Sequence, residues 1–172
     1  MARRKKAGFF IIAGILMNIN AERTVCEGDV RMNEKVIKEL NEFLEGNFMA
    51  IHTYDRYIHR MDDPEVKKIL QTIQRDHKEH AALIAERIQN LGGKPVNDTG
   101  IRGTVAEFFA NLKEATRGTD DILRDAIAGE NRGIEVSRKM LEGDLDSESA
   151  SLVRKILEDD EKHIDLLKRH LH

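Results

Sequence analysis

Two histidines three residues apart, His77 and His80, stand where a helix would otherwise place apolar side chains. Val66, Ile69, Leu70 and Ile73 lead in and Ile84, Ile88 and Leu91 lead out at helical spacing, so both imidazoles share the core-facing stripe. The same kind of interruption recurs in three other segments. Asn47 breaks the stripe of Val36, Leu40, Leu44, Ile51 and Tyr54; Glu130 breaks that of Leu123, Ile127, Ile134 and Met140. Asp160 and His163 break the stripe of Val153, Ile156, Ile164 and Leu167, again with i, i+3 spacing. Packed side by side, such helices would bring three imidazoles and two carboxylates to one buried height. Imidazole nitrogen and carboxylate oxygen are the donors that bind Fe, Mn or Zn. His77, His80, Glu130, Asp160 and His163 are therefore the candidate metal ligands, with Asn47 and Asp76 as weaker candidates. The competing reading is a buried imidazole–carboxylate hydrogen-bond network without metal. His52, His59, His170 and His172 fall off the stripes or near the chain end and are expected in solvent.

Four long helices are needed to position these groups. The first is expected from about Asn33 to Met61. Asp62-Asp63-Pro64 then acts as stop and start, with a capping Asp and a Pro at the first helical position. The second helix should end at Leu91, before Gly92-Gly93 and Pro95. Residues 92–118 are too long for a tight hairpin and suit a crossover carrying a short helix, with Val105, Phe108, Phe109 and Leu112 on one side. The third helix runs from Thr119 or Asp120 to Leu141, and the fourth, capped by Asp146 or Ser147, to the C-terminus. The expected fold is an all-α antiparallel four-helix bundle over residues 32–172. Phe48 and Tyr57 lie off the core stripe; as exposed apolar residues they point to a homodimer or larger homo-oligomer.

Composition agrees with this class. Of 172 residues, 34% are charged, only two are Pro and none is Trp. A net charge of −3 argues against a nucleic-acid or anionic-membrane partner. The single cysteine, Cys26, excludes an internal disulfide. The glycines follow no phosphate-loop pattern, and no small organic cofactor is implied. Residues 1–31 differ from the rest: Arg3, Arg4, Lys5 and Lys6 precede an apolar run from Ala7 to Ile19. Three readings stand: a leader or upstream start before Met32, an export or membrane-tethering segment, or a helix packed on the domain. The first places the domain in the cytoplasm.

From Asn33 to Leu171 the chain resembles the ferritin-like superfamily, in its bacterioferritin and rubrerythrin branch, and a bacterial group of ferritin-like domains within it. The resemblance rests on Leu40-Asn41-Glu42-Phe43-Leu44 through Ala50-Ile51-His52-Thr53-Tyr54, on Asp76 to His80 with Ala85-Glu86-Arg87-Ile88, on Gly129-Glu130, and on Ile156 through His163-Ile164-Asp165. In that family two helices each supply a Glu and two each supply Glu-x-x-His, together holding two metal ions. Carried over residue by residue, the first Glu falls on Asn47 and the second is kept as Glu130. One Glu-x-x-His becomes His77-x-x-His80, and the other becomes Asp160-x-x-His163, one methylene shorter. The resemblance implies an iron-related role, in iron handling or oxidative defence, with ferroxidase-type activity weakened by the missing carboxylates. It implies Fe first and Mn or Zn as alternatives; the departures from the family's carboxylate set point to a single metal, a weak pair or none. The alternative function is a metal-free structural or protein-interaction bundle.

Overall fold

Apolar residues recurring every three to four positions, closed by strong capping signals, produce four helices. The computed structural model describes residues 27–99 and 118–172. Helix α1 spans Glu27–Arg60, α2 Pro64–Asn90, α3 Thr119–Leu141 and α4 Ser147–Lys168, and no strand occurs among the described residues. Helix α1 is already formed at Glu27, ahead of the expected start at Asn33. Gly28 interrupts the helical signal there, which hides the true beginning from periodicity. The segment expected to be a leader, apart from that helical stretch, and the short crossover helix around Phe108 lie outside the described residues. No helix among the described residues is long and apolar enough to cross a membrane.

The helix ends follow the sequence signals. The Asp63 carboxylate accepts hydrogen bonds from the Glu65 and Val66 amides at 2.8 and 3.1 Å, and Pro64 takes the first helical position. At the other end of α2, Gly92 adopts φ +83°. The Gly92 amide donates to the Gln89 carbonyl and the Gly93 amide to the Ile88 carbonyl, both at 2.9 Å, which is the Schellman arrangement. A side chain at 93 would begin 2.7 Å from Ile37 Cγ2, so glycine also lets α1 approach. Asn41 on α1 then holds the departing chain. Its amide nitrogen donates to the Lys94 carbonyl at 3.3 Å, and its oxygen accepts from the Val96 amide at 2.8 Å.

Two apolar clusters fill the bundle, one toward each end. The first joins Tyr54 and Tyr57 of α1, with Met61 just beyond its end, to Leu70 and Ile73 of α2, Leu123 and Ala126 of α3 and Leu167 of α4. The second joins Val36, Leu40 and Leu44 of α1 to Ile84 and Ile88 of α2 and Val153 and Ile156 of α4, with Met140 and Leu141 of α3 packed against it. The clusters fix the directions. The late half of α1 meets the early halves of α2 and α3 and the end of α4, so α2 and α3 run parallel to one another and antiparallel to α1 and α4. A parallel pair requires the connection to return along the whole bundle, about 40 Å for a helix of this length. That is the physical reason for a crossover between residues 91 and 118. Tyr57, expected to be exposed, is only 6% exposed and belongs to the core, while Phe48 is half-buried against the second cluster. The stripe of α1 is wide enough to include them because three partner helices surround it.

A polar clamp ties α2 to the start of α4. Asp146 caps α4 by accepting from the Glu148 and Ser149 amides, both at 3.1 Å. Arg87 of α2 reaches the same carboxylate at 2.6 Å and the Ser149 hydroxyl at 3.0 Å. Among the described residues no arginine reaches Asp63, which caps α2 through the two amides alone. Asp146→Ala is therefore expected to lower stability by about 2 kcal/mol and Asp63→Ala by about 1 kcal/mol in urea unfolding. Equal losses would show that the Arg87 tie contributes nothing.

Candidate metal centre

Between the two apolar clusters lies a single polar layer. Asn47 comes from α1, His77 and His80 from α2, Glu130 from α3, and Asp160 and His163 from α4; each is no more than 5% exposed. Every stripe interruption read from the sequence is thus buried, at the middle of its helix. A buried polar side chain must find partners or lose stability, and the partners here come from other helices.

Glu130 is the best satisfied. Its Oε1 accepts from the Tyr54 hydroxyl at 2.6 Å and lies 3.1 Å from His77 Nε2. Its Oε2 lies 3.3 Å from His163 Nδ1. Asn47 supports His77 from behind: its Oδ1 is 3.4 Å from His77 Nδ1, and its Nδ2 donates to the Phe43 carbonyl at 3.1 Å. Asp160 is poorly satisfied. Its Oδ1 sits 3.7 Å from His163 Nδ1 and 3.9 Å from His80 Nδ1, and neither that oxygen nor His80 Nδ1 has a hydrogen-bond partner among the described residues. Gly133 of α3 faces the other oxygen, Oδ2, where an added Cβ would make ordinary contact at 3.6 Å. The outer nitrogens of two rings meet half-buried carboxylates: His163 Nε2 is 3.3 Å from Asp76 and His80 Nε2 is 3.5 Å from Asp159.

These contacts separate the two buried carboxyls. Burial pushes Glu130 upward, but hydrogen bonds from His163 and His77 and the charge on those rings outweigh it and hold the carboxyl at about 2. Burial and the Glu130 charge push Asp160 up to about 7, against the weaker pull of His77 and His163. Burial, then the positive charges of His77 and His163, lower His80. Burial also lowers His163, but the Glu130 hydrogen bond and charge reverse the sign and leave it raised. The Tyr54 phenol is pushed well above its ordinary value by burial and by Glu130.

Four of the expected ligands, His77, Glu130, Asp160 and His163, offer donor atoms all within 4.8 Å of one another. Donors at 2.0–2.2 Å from a cation lie at most about 4.4 Å apart across it, so a contraction of a few tenths of an ångström would close the set. The two orphaned atoms, His80 Nδ1 and Asp160 Oδ1, lie 3.9 Å apart, and both are of the donor types that a cation takes. The donor chemistry and the orphaned pair both fit a bound transition metal. His80 stands beside the four-residue group. Asp76 touches His163 from outside, and Asn47 supports His77 without belonging to the group. Two participants escaped the sequence reading. Tyr54 looked like one more apolar stripe residue, although its hydroxyl was the available clue. Nothing in the spacing singles out Asp159 from the other acidic residues around it. His52, expected in solvent, is a correction: its side chain is 16% exposed and lies 3.3 Å from Asp98, because the chain leaving α2 folds back over α1.

The profile of the family described as a domain of unknown function (DUF2383) matches residues 35–143. A bacterioferritin from Streptomyces coelicolor is 30% identical over 140 residues, covering 80% of this chain and 80% of that protein. Among solved structures, the Desulfovibrio desulfuricans bacterioferritin, described with its diiron site in different catalytic states, superposes with a TM-score of 0.68 at 25% identity, over 81% of this chain and 80% of that one. A dodecameric thioferritin, the bacterioferritin-related protein of Bacteroides fragilis, gives 0.65 at 21% identity over 84% and 92% of the two chains.

The raised Asp160 carboxyl makes metal-free stability fall as pH rises. Below about pH 4 the group is protonated folded and unfolded, with no penalty. Between about 4 and 7 the unfolded chain releases that proton and the folded chain keeps it, so stability drops, by an amount on the order of 4 kcal/mol. Glu130 has the opposite sign: its contribution is present above its unfolded value and is lost only as pH falls toward about 2. Urea unfolding of metal-free protein should thus show wild type weaker at pH 8 than at pH 5, and Asp160→Asn should flatten that slope and stabilise the domain at pH 8.

Proposed function

Because the chain belongs to the ferritin-like superfamily, within the family described as DUF2383, we propose that its polar layer binds one divalent transition metal ion, iron first among candidates, in an iron-handling or oxidative-defence role. The observation that carries this reading is the orphaned pair, His80 Nδ1 and Asp160 Oδ1, facing each other where His77, Glu130 and His163 also bring donors together. Glu130, Asp160, His77 and His163 would hold the ion, with His80 as fifth ligand; manganese and zinc fit the same donors. Bound iron would supply one-electron chemistry between its ferrous and ferric states.

The residues favour one ion over two. Two buried carboxylates offset the charge of one divalent cation, whereas a pair in one site carries four positive charges. Asn47 stands where the family places a carboxylate and cannot add the missing charge. Its amide, directed at His77 and at the Phe43 carbonyl, serves to orient that imidazole. Tyr54 donates to Glu130, the oxygen it meets being the one His77 also faces. A metal-free network is the second reading, favoured by Glu130 alone, which already has three partners without an ion.

We also propose a homo-oligomer. Met49 is 45% exposed on α1 beside half-buried Phe48, and the Bacteroides fragilis protein of the same fold is dodecameric. Light scattering should find more than one chain per particle; a monomer at high concentration rejects this.

Metal content and thermal unfolding decide between the readings. One equivalent of Fe, Mn or Zn per chain should bind near neutral pH, and at a hundredfold excess over Kd it should raise Tm by about 5–10 °C. His80→Ala should remove most of that rise, while His59→Ala, at an exposed position, should not. If none of the three ions shifts Tm, the hydrogen-bond network stands instead; two equivalents per chain would overturn the single-ion arrangement.

A further inference from the structure

A cleft of about 330 Å³ opens on the face shared by α2 and α4. Asp76, His80, Asp159, Lys162 and His163 are among the side chains that line it. A groove at the end of α1, around Asp55 and His59, and a hollow between α1 and α2, around Phe48 and His52, are lined by none of the candidate ligands. The α2–α4 cleft differs because two of its walls belong to the metal centre.

His80 and His163 each present one nitrogen to each side. Their Nδ1 atoms lie 3.9 and 3.7 Å from the buried Asp160, while their Nε2 atoms lie 3.5 Å from Asp159 and 3.3 Å from Asp76 on the cleft side. The two rings are nearly parallel, tilted by 28° with centroids 6.3 Å apart, and stand between cleft and core. The outer carboxylates reach water: the Asp76 and Asp159 side chains are 35% and 29% exposed, against 6% and 4% for the imidazoles they touch. His80 lines the cleft yet is 3% exposed and keeps its inner nitrogen unpartnered. Carboxylate, imidazole and carboxylate thus follow one another from solvent to core along two converging lines.

We propose that this cleft is the port by which a divalent cation reaches the core: Asp76 and Asp159 capture the ion and His163 and His80 pass it inward to Asp160 and Glu130. This rests on the metal-binding reading above. At each stage the cation exchanges water for a protein donor, so it never crosses a dry apolar layer as a bare charge. Lys162 holds Asp159 at 2.8 Å in the meantime. That pair is solvent-exposed on the lysine side and worth little, so an arriving divalent ion displaces the ammonium at small cost. Glu79 also lines the mouth, but Lys155 and Lys162 line it too and Arg75 lies 3.8 Å from Asp76, so capture rests on the two carboxylates as local ligands whose attraction salt weakens.

Stopped-flow binding of Co²⁺ to the full chain, followed by its visible absorbance, tests the port. Asp76→Asn combined with Asp159→Asn removes both charges but leaves oxygens that accept from the imidazoles. The association rate should fall about tenfold. Release into excess chelator should slow by a similar factor, leaving stoichiometry and equilibrium affinity nearly unchanged. Lys162→Gln should speed association at low salt and lose that advantage at high salt. An unchanged association rate in the double variant, or release that becomes faster, overturns the port; faster release would mean that the carboxylates only steady the ligands. Wild-type protein that takes up no Co²⁺ would remove the metal-binding reading itself, and the port with it, whereas uptake with unaltered variant rates removes the port alone.

Discussion

One buried carboxylate sets the register of this bundle. Glu130, 4% exposed on α3, takes a hydrogen bond from Tyr54 on α1 and faces His77 on α2 and His163 on α4. Every other helix therefore contributes one polar partner to the same group. A helix displaced by one residue moves its side chains by ~1.5 Å and swings them by ~100°, which would strand the carboxylate and its partner together. Apolar contacts between helices tolerate such slips far better, since one branched side chain replaces another at modest loss. The polar layer thus specifies the alignment that the apolar clusters stabilise.

The layer works electrostatically because both of its neighbours are dry. Leu70, Ile73 and Leu123 close one side, Leu44, Ile84 and Ile156 the other, and none of these is more than 1% exposed. In such surroundings a donated hydrogen bond, or its lack, weighs heavily. Glu130 and Asp160 show both outcomes within one site. Against burial, His163 and His77 hold the first ionised far below neutrality; burial and the negative charge of Glu130 hold the second near 7, with Oδ1 unpartnered among the described residues. The imidazoles divide likewise: His163, where carboxylates overcome the effect of burial, is raised, while His80, lowered first by burial and then by the other imidazoles, is not rescued. The metal-free arrangement leaves its dissatisfaction concentrated on His80 and Asp160, the two side chains that meet across the α2–α4 seam.

That seam is also where the fold is clamped. Arg87 of α2 binds the cap of α4, and one turn or more along the same pair of helices the imidazoles face each other. The parallel course of α2 and α3 frees α4 to lie antiparallel to α2, with its His163 opposite Asp76 and its Asp159 opposite His80. The crossover is thus a condition of the site: a tight hairpin after α2 would run α3 in the other direction and present Glu130 at a different height to its partners.

Much of this was legible in the sequence. Four stripes with a polar break in each gave the helices and the members of the layer, since a polar residue on an apolar stripe can point only into the core. Asp63-Pro64 and Gly92-Gly93 marked their ends because capping chemistry is local. What periodicity could not convey was pairing. Tyr54 and Leu44 look alike on a helical stripe, and only the packed bundle brings the Tyr54 hydroxyl to Glu130. Tyr57 and His52 seemed exposed because a stripe drawn for one helix ignores the breadth of contact made by three neighbours and a returning loop. Asp160 and Glu130 are equivalent as letters. Their opposite pKa shifts follow from who stands beside them, a long-range property that no spacing within one helix encodes. The sequence by itself determined which side chains enter the buried layer; the tertiary structure decided which satisfy one another and which are left facing a gap.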